Sequence, residues 1–490
     1  MPMKTIALHL PKVLFALALL ALAAPAAGQN SLVRQYPVLS GDTVLVRTDN
    51  STFVTCCNTT GWRSCFVVDD GTTCRRFFTT QAPSGIHITD SGYVVYDMQL
   101  VNGVCWFAGY KWFDTGLPFY TLDGQAYNLV TYKAVIGRFN TADVLNGSGN
   151  YGIIEVSGLH HIERLAVIGS NATAIGVRPN GTRQLVELAL DTSGYSYLLS
   201  IENSSMSQEV FMDVVAAGNK AVVLSRFNAS GNPWYHRDYF GLRYGSAGNL
   251  YGTSNNIRCY DVYTAMLWCT SFTAVHPIRL AATNNGDGVV VAYIALNDEE
   301  TNPLLNKFVL FHVASENAST TDVIFNLNDE YQYTEIADIR FNKPVFNNTN
   351  MALLLRDGSG NSVLRFPKLT FPLSNTLYED VLFINNLRIN SVAPYQTGLT
   401  NLHLSAAGHY NGTTPYLAGI VEKNIYSLDF TQNCFSFGNG NLTLYKNIPS
   451  KAENFDYPLV VSTVSAAVTF KNHSYSSASL SKTNTCINGN

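Results

Sequence analysis

Asp97, Asp213 and Asp338 each stand immediately before an apolar residue, in the segments YDMQL, FMDVV and IADIR. Glycoside cleavage requires two carboxylates about 5 to 10 Å apart across the sugar. Convergence of these three on one channel would therefore supply a hydrolase or lyase. The matching positions between them carry the opposite sign, Arg164 in IERLA and Arg279 in PIRLA, and Asn386 completes the series. A belt of ion pairs running from unit to unit explains the same residues without catalysis, and serves register more than net stability.

Metal chemistry is poorly supported. On a strand, His161 and Glu163 of GLHHIERL share a face, with His160 beside them, but two ligands without a third call for a polar contact between units instead. RDGSGNS (356–362) places Asp357, Ser359 and Asn361 like the start of a calcium loop. Position twelve would be Lys368, which excludes an EF-hand and leaves a glycine-rich hairpin turn. Cys65 and Cys74 lack the spacing of a zinc knuckle, and no phosphate-binding loop, nucleophile elbow or dinucleotide fingerprint occurs in a usable context. No cofactor and no metal are expected.

Binding is better represented. Residues 109–132 (GYKWFDTGLPFYTLDGQAYNLVTY) and 232–263 (NPWYHRDYFGLRYGSAGNLYGTSNNIRCYDVY) read as long insertions dense in aromatics and glycine. Ordered loops on a rigid scaffold are common binding sites. Trp112, Phe113, Tyr120, Trp234, Tyr235, Tyr239 and Tyr244 are accordingly the candidate ligand-binding residues, able to stack on sugar rings or anchor a protein. The competing reading is that these rings cap the core.

The scaffold follows from a repeat. YDMQLVNGVCWFAGYKW (96–112) alternates, breaks at Asn102-Gly103 and alternates again, the strongest short-range hairpin signal. The pattern returns in 162–178, 211–227, 278–296, 336–358 and 385–408, with anchors at Met98, Leu165, Val214, Leu280, Ile339 and Leu387. A third apolar strand follows most units, as in KAVIGRFN and RQLVELALD, and residues 43–80 supply one more unit. Spacings of roughly 50 to 65 residues suit propeller blades. The expectation is an all-β chain forming a single β-propeller of about seven four-stranded blades, with tandem β-sandwiches as the alternative. A blade lies between two neighbours, which explains hairpins apolar on both faces.

Boundaries come from the ends. Lys4, Lys12 and the apolar run Val13–Ala24 precede small residues, the pattern of a secretory signal peptide over 1–28 with a cut before Gln29. Residues 29–430 are assigned to the propeller and 431–490 to a ring-closing or accessory β segment. No later stretch reaches the roughly 18 apolar residues of a membrane helix. The chain is expected to be secreted, or held at the cell surface or in the periplasm. Nine cysteines fit an exported chain, with Cys259–Cys269 and Cys434–Cys486 as candidate pairs. Twelve Asn-x-Ser/Thr sequons establish no glycosylation in a chain so rich in these residues. The formal charge of −4, about −6 without the leader, gives nucleic acid no electrostatic footprint.

GWRSCFVVDDGTTCRRFF followed by YDMQLVNGVCWFAG resembles a pattern in uncharacterised exported propeller-like proteins of gut Bacteroidetes, over about the first quarter of the chain. Ala108 stands before Gly109 where that pattern often has cysteine. The resemblance implies an envelope or secreted location and no activity. The expected function is an exported or cell-surface binding protein for a glycan or host glycoprotein, more binder than enzyme, with an undetermined oligomeric state. A carbohydrate-active hydrolase or lyase and a structural surface protein are the alternatives.

Overall fold

Asn102 and Gly103 both take positive φ, 51° and 75°, the geometry of the type I′ turn that Asn-Gly favours. They join Gly92–Val101 to Val104–Tyr120 as the hairpin the alternation implied. The computed structural model describes residues 31–485 apart from 37–40, 50–51, 60–62, 80–91, 121–125, 190–196, 204–208, 229–237, 251–255, 262–272, 275–278, 284–285, 287, 297–306, 326–332, 342–348, 358–360, 370–376, 385–386, 398–400, 411–417, 425–435, 450–452, 457–458, 464–468 and 482. The expected leader falls outside these residues.

Seven innermost strands, Gly41–Asp49, Gly92–Val101, His161–Ile168, Glu209–Ala217, Arg279–Ala282, Tyr333–Phe341 and Leu387–Thr397, each pack on the next, and the last packs on the first. Sheets grow outward from them by antiparallel pairing with the strands that follow in sequence. The chain is thus an all-β propeller around a channel, and the closed ring rules out separate sandwiches. Among the described residues the sheets number six, where the sequence led to about seven. Ser436–Pro449 pairs with Leu377–Ile384 through its first half and with Thr320–Phe325 through its second, fusing a run of five strands and a run of four into one ten-stranded sheet.

That strand begins a strap. After it, Glu453–Asp456, Leu459–Thr463, Thr469–Ser476, Ala478–Ser479 and Thr483–Thr485 add an outer strand to each of the other five sheets in turn, in the reverse of chain order. The last of them pairs with Ser31–Tyr36, which itself pairs with Ala418–Asn424. The two ends of the described chain therefore meet in one sheet.

Both faces of the inner hairpins are buried, as a blade between two neighbours requires. Cys105 and Phe107 pack towards the first sheet with Leu45 and Phe66, whereas Trp106 and Ala108 pack towards the third with Ile162 and Leu165. A Cβ at Gly109 would collide with the Val94 carbonyl, so glycine is required beside the place where the register skips Tyr96. No disulfide forms among the described residues. Cys56, Cys57, Cys65, Cys74, Cys105 and Cys259 are buried thiols, while Cys269, Cys434 and Cys486 lie outside the description. Burial pushes the Cys56 and Cys105 thiols well up, keeping them protonated and inert.

The described parts of the two aromatic insertions form strands. Val104–Tyr120 and Ala126–Asn140 pair with each other almost to their ends, and in the fourth sheet Asp238–Ser246 pairs with Asn256–Asp261 from Tyr239 to Leu242. Tyr, Trp and Phe suit a pleated surface, and here they extend strands. Gly92 is the first inner-strand residue and faces Trp112, so beyond Trp112 the first hairpin runs past its inner neighbour.

Candidate functional site

Among the register skips of the inner strands, five fall at matching places: Tyr96, Glu163, Met212, Ala337 and Asn390. A bulge re-aims the residue that follows it. Those residues are Asp97, Arg164, Asp213, Asp338 and Ser391, and Arg279 opens the short strand Arg279–Ala282.

The three aspartates make the same two bonds. One oxygen of Asp97 accepts from the Met98 N–H (2.8 Å) and the other from the Leu165 N–H of the next unit (3.0 Å). Asp213 does this with Val214 (2.9 Å) and Leu280 (2.9 Å), and Asp338 with Ile339 (3.0 Å) and Val392 (3.1 Å). Each aspartate staples its unit to the following one. By this bonding the sixth belt position is Ser391 with anchor Val392, not Asn386 with Leu387, and Asn386 lies outside the described residues. Ser391 Oγ donates to Asp338 at 3.0 Å.

Two arginines, each one residue beyond its strand's anchor, complete the belt. Arg47 lies 3.0 Å from Asp97 and 3.5 Å from Asp338; Arg340 lies 3.0 Å from Asp338 and 3.6 Å from Asp97. Neither was evident from the sequence series, because they belong to the next layer, where Gln99 also bridges units through the Leu165 carbonyl and the Val167 N–H. Burial would raise the Asp338 carboxyl, but Arg340, Arg47 and the bonds from Val392 and Ser391 outweigh it and hold the carboxyl below its ordinary value. Burial also works against the Arg340 charge, and Asp338, Asp97 and Asp213 reverse the effect, raising its pKa. Arg47 is lowered, by burial and then by Arg340. Asp213 is raised by burial despite Arg164 and Arg279, and Arg164 Nε is 3.5 Å from it.

At the level of Arg47 and Arg340 the channel divides. One chamber, of about 500 Å³, lies towards the inner hairpin turns beside Leu100, Ile168 and Gly218. The other, of about 360 Å³, is ringed by Tyr96, Arg164, Asp213, Arg279, Glu335 and Arg356. This second chamber is the candidate site. No protein-family model and no curated protein matches the chain. Its chemistry has to come from the residues themselves.

Tyr96 belongs to an aromatic patch at this mouth. Its ring centroid is 5.7 Å from Tyr110 and 5.0 Å from His161, and Tyr132 lies 5.4 Å from Tyr110 and 4.5 Å from His160. Tyr110 and Tyr132 are the flanks of the first aromatic segment. Of the candidate residues chosen from sequence, Trp112 and Tyr244 are buried, 6% and 5% exposed, which leaves no open ring face. Phe113 and Tyr120 sit on Val104–Tyr120 and Tyr239 on Asp238–Ser246, while Trp234 and Tyr235 lie outside the described residues. Neither Trp112 nor Tyr244 lines the mouth chamber. Tyr96 carries a sequence signal in retrospect, since it immediately precedes a belt aspartate and occupies the bulge.

In GLHHIERL the polar contacts of Glu163 run within its own sheet, not between units as expected. His161 Nε2 is 3.4 Å from Glu163, and Arg183 Nε is 3.0 Å from it. RDGSGNS forms a hairpin connection, with Asn361 N–H donating to Asp357 at 2.8 Å. Burial works against the Glu163 charge, but His161, Arg183 and Arg164 bring its pKa from 4.5 down to about 2. A carboxylate with a depressed folded pKa stabilises above its unfolded value and loses that contribution as pH falls towards the folded value. The melting temperature is thus expected to drop from pH 4.5 to about 2, with Glu163→Gln flattening part of this acid limb. An unchanged acid limb in the variant would show that the cluster contributes nothing.

Proposed function

We propose that the chain is an exported or cell-surface β-propeller binding protein that takes a glycan, free or on a glycoprotein, at the polar mouth of its channel. The observation that carries the reading is the mouth chamber itself: about 360 Å³, walled by guanidinium, carboxylate and amide groups, with the Tyr96 ring on its rim. A concave site offering a few fixed polar groups beside aromatic surface suits a sugar, which presents hydroxyls on its edges and C–H groups on its faces. The signal-peptide pattern and the Bacteroidetes-like motif support export.

Binding is favoured over turnover because both oxygens of each channel aspartate already accept backbone N–H bonds. A general acid or base must instead be free to reach the substrate proton. Asp213, raised by burial, is the group to watch if that reasoning fails.

A glycan-array and mucin-binding screen of residues 29–490, with product release followed in the same wells, tests the proposal. Wild type is expected to bind saturably without releasing product, and Tyr96→Ala to bind about tenfold more weakly, the equivalent of about 1.4 kcal/mol. Full binding by Tyr96→Ala with loss in Trp234→Ala would move the contact into the second aromatic segment. Released product that disappears in Asp213→Asn would favour the hydrolase or lyase.

A further inference from the structure

We infer that the mouth chamber holds an oxyanion, a carboxylate or a phosphate-type group, against Arg279. The inference rests on the proposed binding site and adds the charge of what enters it.

The argument is a charge inventory. Of the five arginines lining the chamber, Arg47 and Arg340 are matched by Asp97 and Asp338. Arg356 Nε lies 3.0 Å from Glu335, and its Nη2 donates to Asn390. Glu163, beside Arg164, is matched by Arg183. What remains is Arg164 and Arg279 against Asp213 alone, one positive charge in excess.

That excess falls on Arg279. Asp213 is occupied by the N–H groups of Val214 and Leu280 and by Arg164, and Arg164 also donates to the Glu163 carbonyl at 2.9 Å. Arg279 Nε is closed off from water with no hydrogen-bond partner, although its side chain helps line the chamber. A buried guanidinium donor left unbonded is costly, because desolvation is not repaid by a bond. Burial and the neighbouring Arg164 lower its pKa to about 10, so it remains a cation at neutral pH. An oxyanion entering the mouth would meet the guanidinium where it lines the chamber and supply the missing charge, and arginine's planar fork suits a carboxylate or phosphate edge.

Two sources share this chemistry: an acidic sugar within a glycan, and a small free anion. Calorimetric titration of the purified protein in chloride-free buffer at pH 7 separates them, using galacturonate, neutral galactose and inorganic phosphate as probes. Galacturonate is expected to bind at least tenfold tighter than galactose. Arg279→Gln should abolish the difference while the protein stays folded, and Arg279→Lys should restore part of it.

Phosphate binding that depends on Arg279, with neither sugar bound, would keep the inference and reject the glycan reading. Equal binding of galactose and galacturonate, unchanged in Arg279→Gln, would overturn the inference and leave the glycan reading standing. No binding of any probe by the folded protein would overturn both. Should Arg279→Gln fail to fold, the preference of wild type for galacturonate over galactose still decides the matter.

Discussion

Removal of residues 436–490 is expected to leave a chain without a cooperative folding transition. The strap joins the two runs of the ten-stranded sheet and supplies an edge strand to each of the other five, and it is fastened by more than backbone pairing. Leu442 is buried in the core between the two fused strand runs. Tyr475 stacks on Phe77 with ring centroids 4.1 Å apart, joining the aromatic core shared by the first two sheets. Leu480 is buried against Val46 and Cys74, and its N–H donates to the Cys74 carbonyl. Burial of each such side chain contributes about 2 kcal/mol. Three of them approach the lower end of the roughly 5–15 kcal/mol by which whole domains are stable. The exposed edges that remain would also be free to pair between molecules. Far-UV circular dichroism on heating, together with sedimentation, reads the outcome. A truncated chain that stays monomeric and melts within about 5 °C of the intact one would make the strap dispensable.

The strap also marks the limit of what the sequence reveals. Inner hairpins are legible because their cause is local: Asn102-Gly103 dictates a turn, and period-2 apolar runs dictate strands on either side. The alternation of Asp97, Arg164, Asp213, Arg279 and Asp338 is legible for the same reason, each charge sitting at a fixed offset from a buried anchor. It fails at Asn386, because the true anchor is Val392, five residues beyond the apparent anchor Leu387. Nothing local tells Ser436–Pro449 that it must leave one run of strands for the next, because that instruction comes from shape and edge complementarity across the ring. The aromatic segments are ambiguous for a related reason. Tyr, Trp and Phe are equally at home on a binding surface and in a strand, and only the unpredicted length of Val104–Tyr120 and its partner decides between them.

The belt sets the second large expectation: Asp338→Ala destabilises the fold by about 3–5 kcal/mol, the usual cost of removing one member of a buried charge group. Arg47 and Arg340 would then share Asp97 alone, and the N–H groups of Ile339 and Val392 would lose their acceptor. The damage should come from the stranded charges more than from the missing staple. Adding Arg340→Met to Asp338→Ala is therefore expected to recover part of the loss, whereas independent contributions would make the double variant worse than either single one. Acid supplies a second check on the same mechanism. The Asp338 carboxyl is held below its ordinary value in the fold, so its contribution is complete above the unfolded carboxylate pKa of about 3.9 and is lost as pH falls below it. Wild type and Asp338→Asn should differ most in denaturant midpoint near neutral pH and converge in acid. A gap that persists unchanged to pH 2 would mean that Asp338 acts by shape and hydrogen bonding, with its charge irrelevant to the ring.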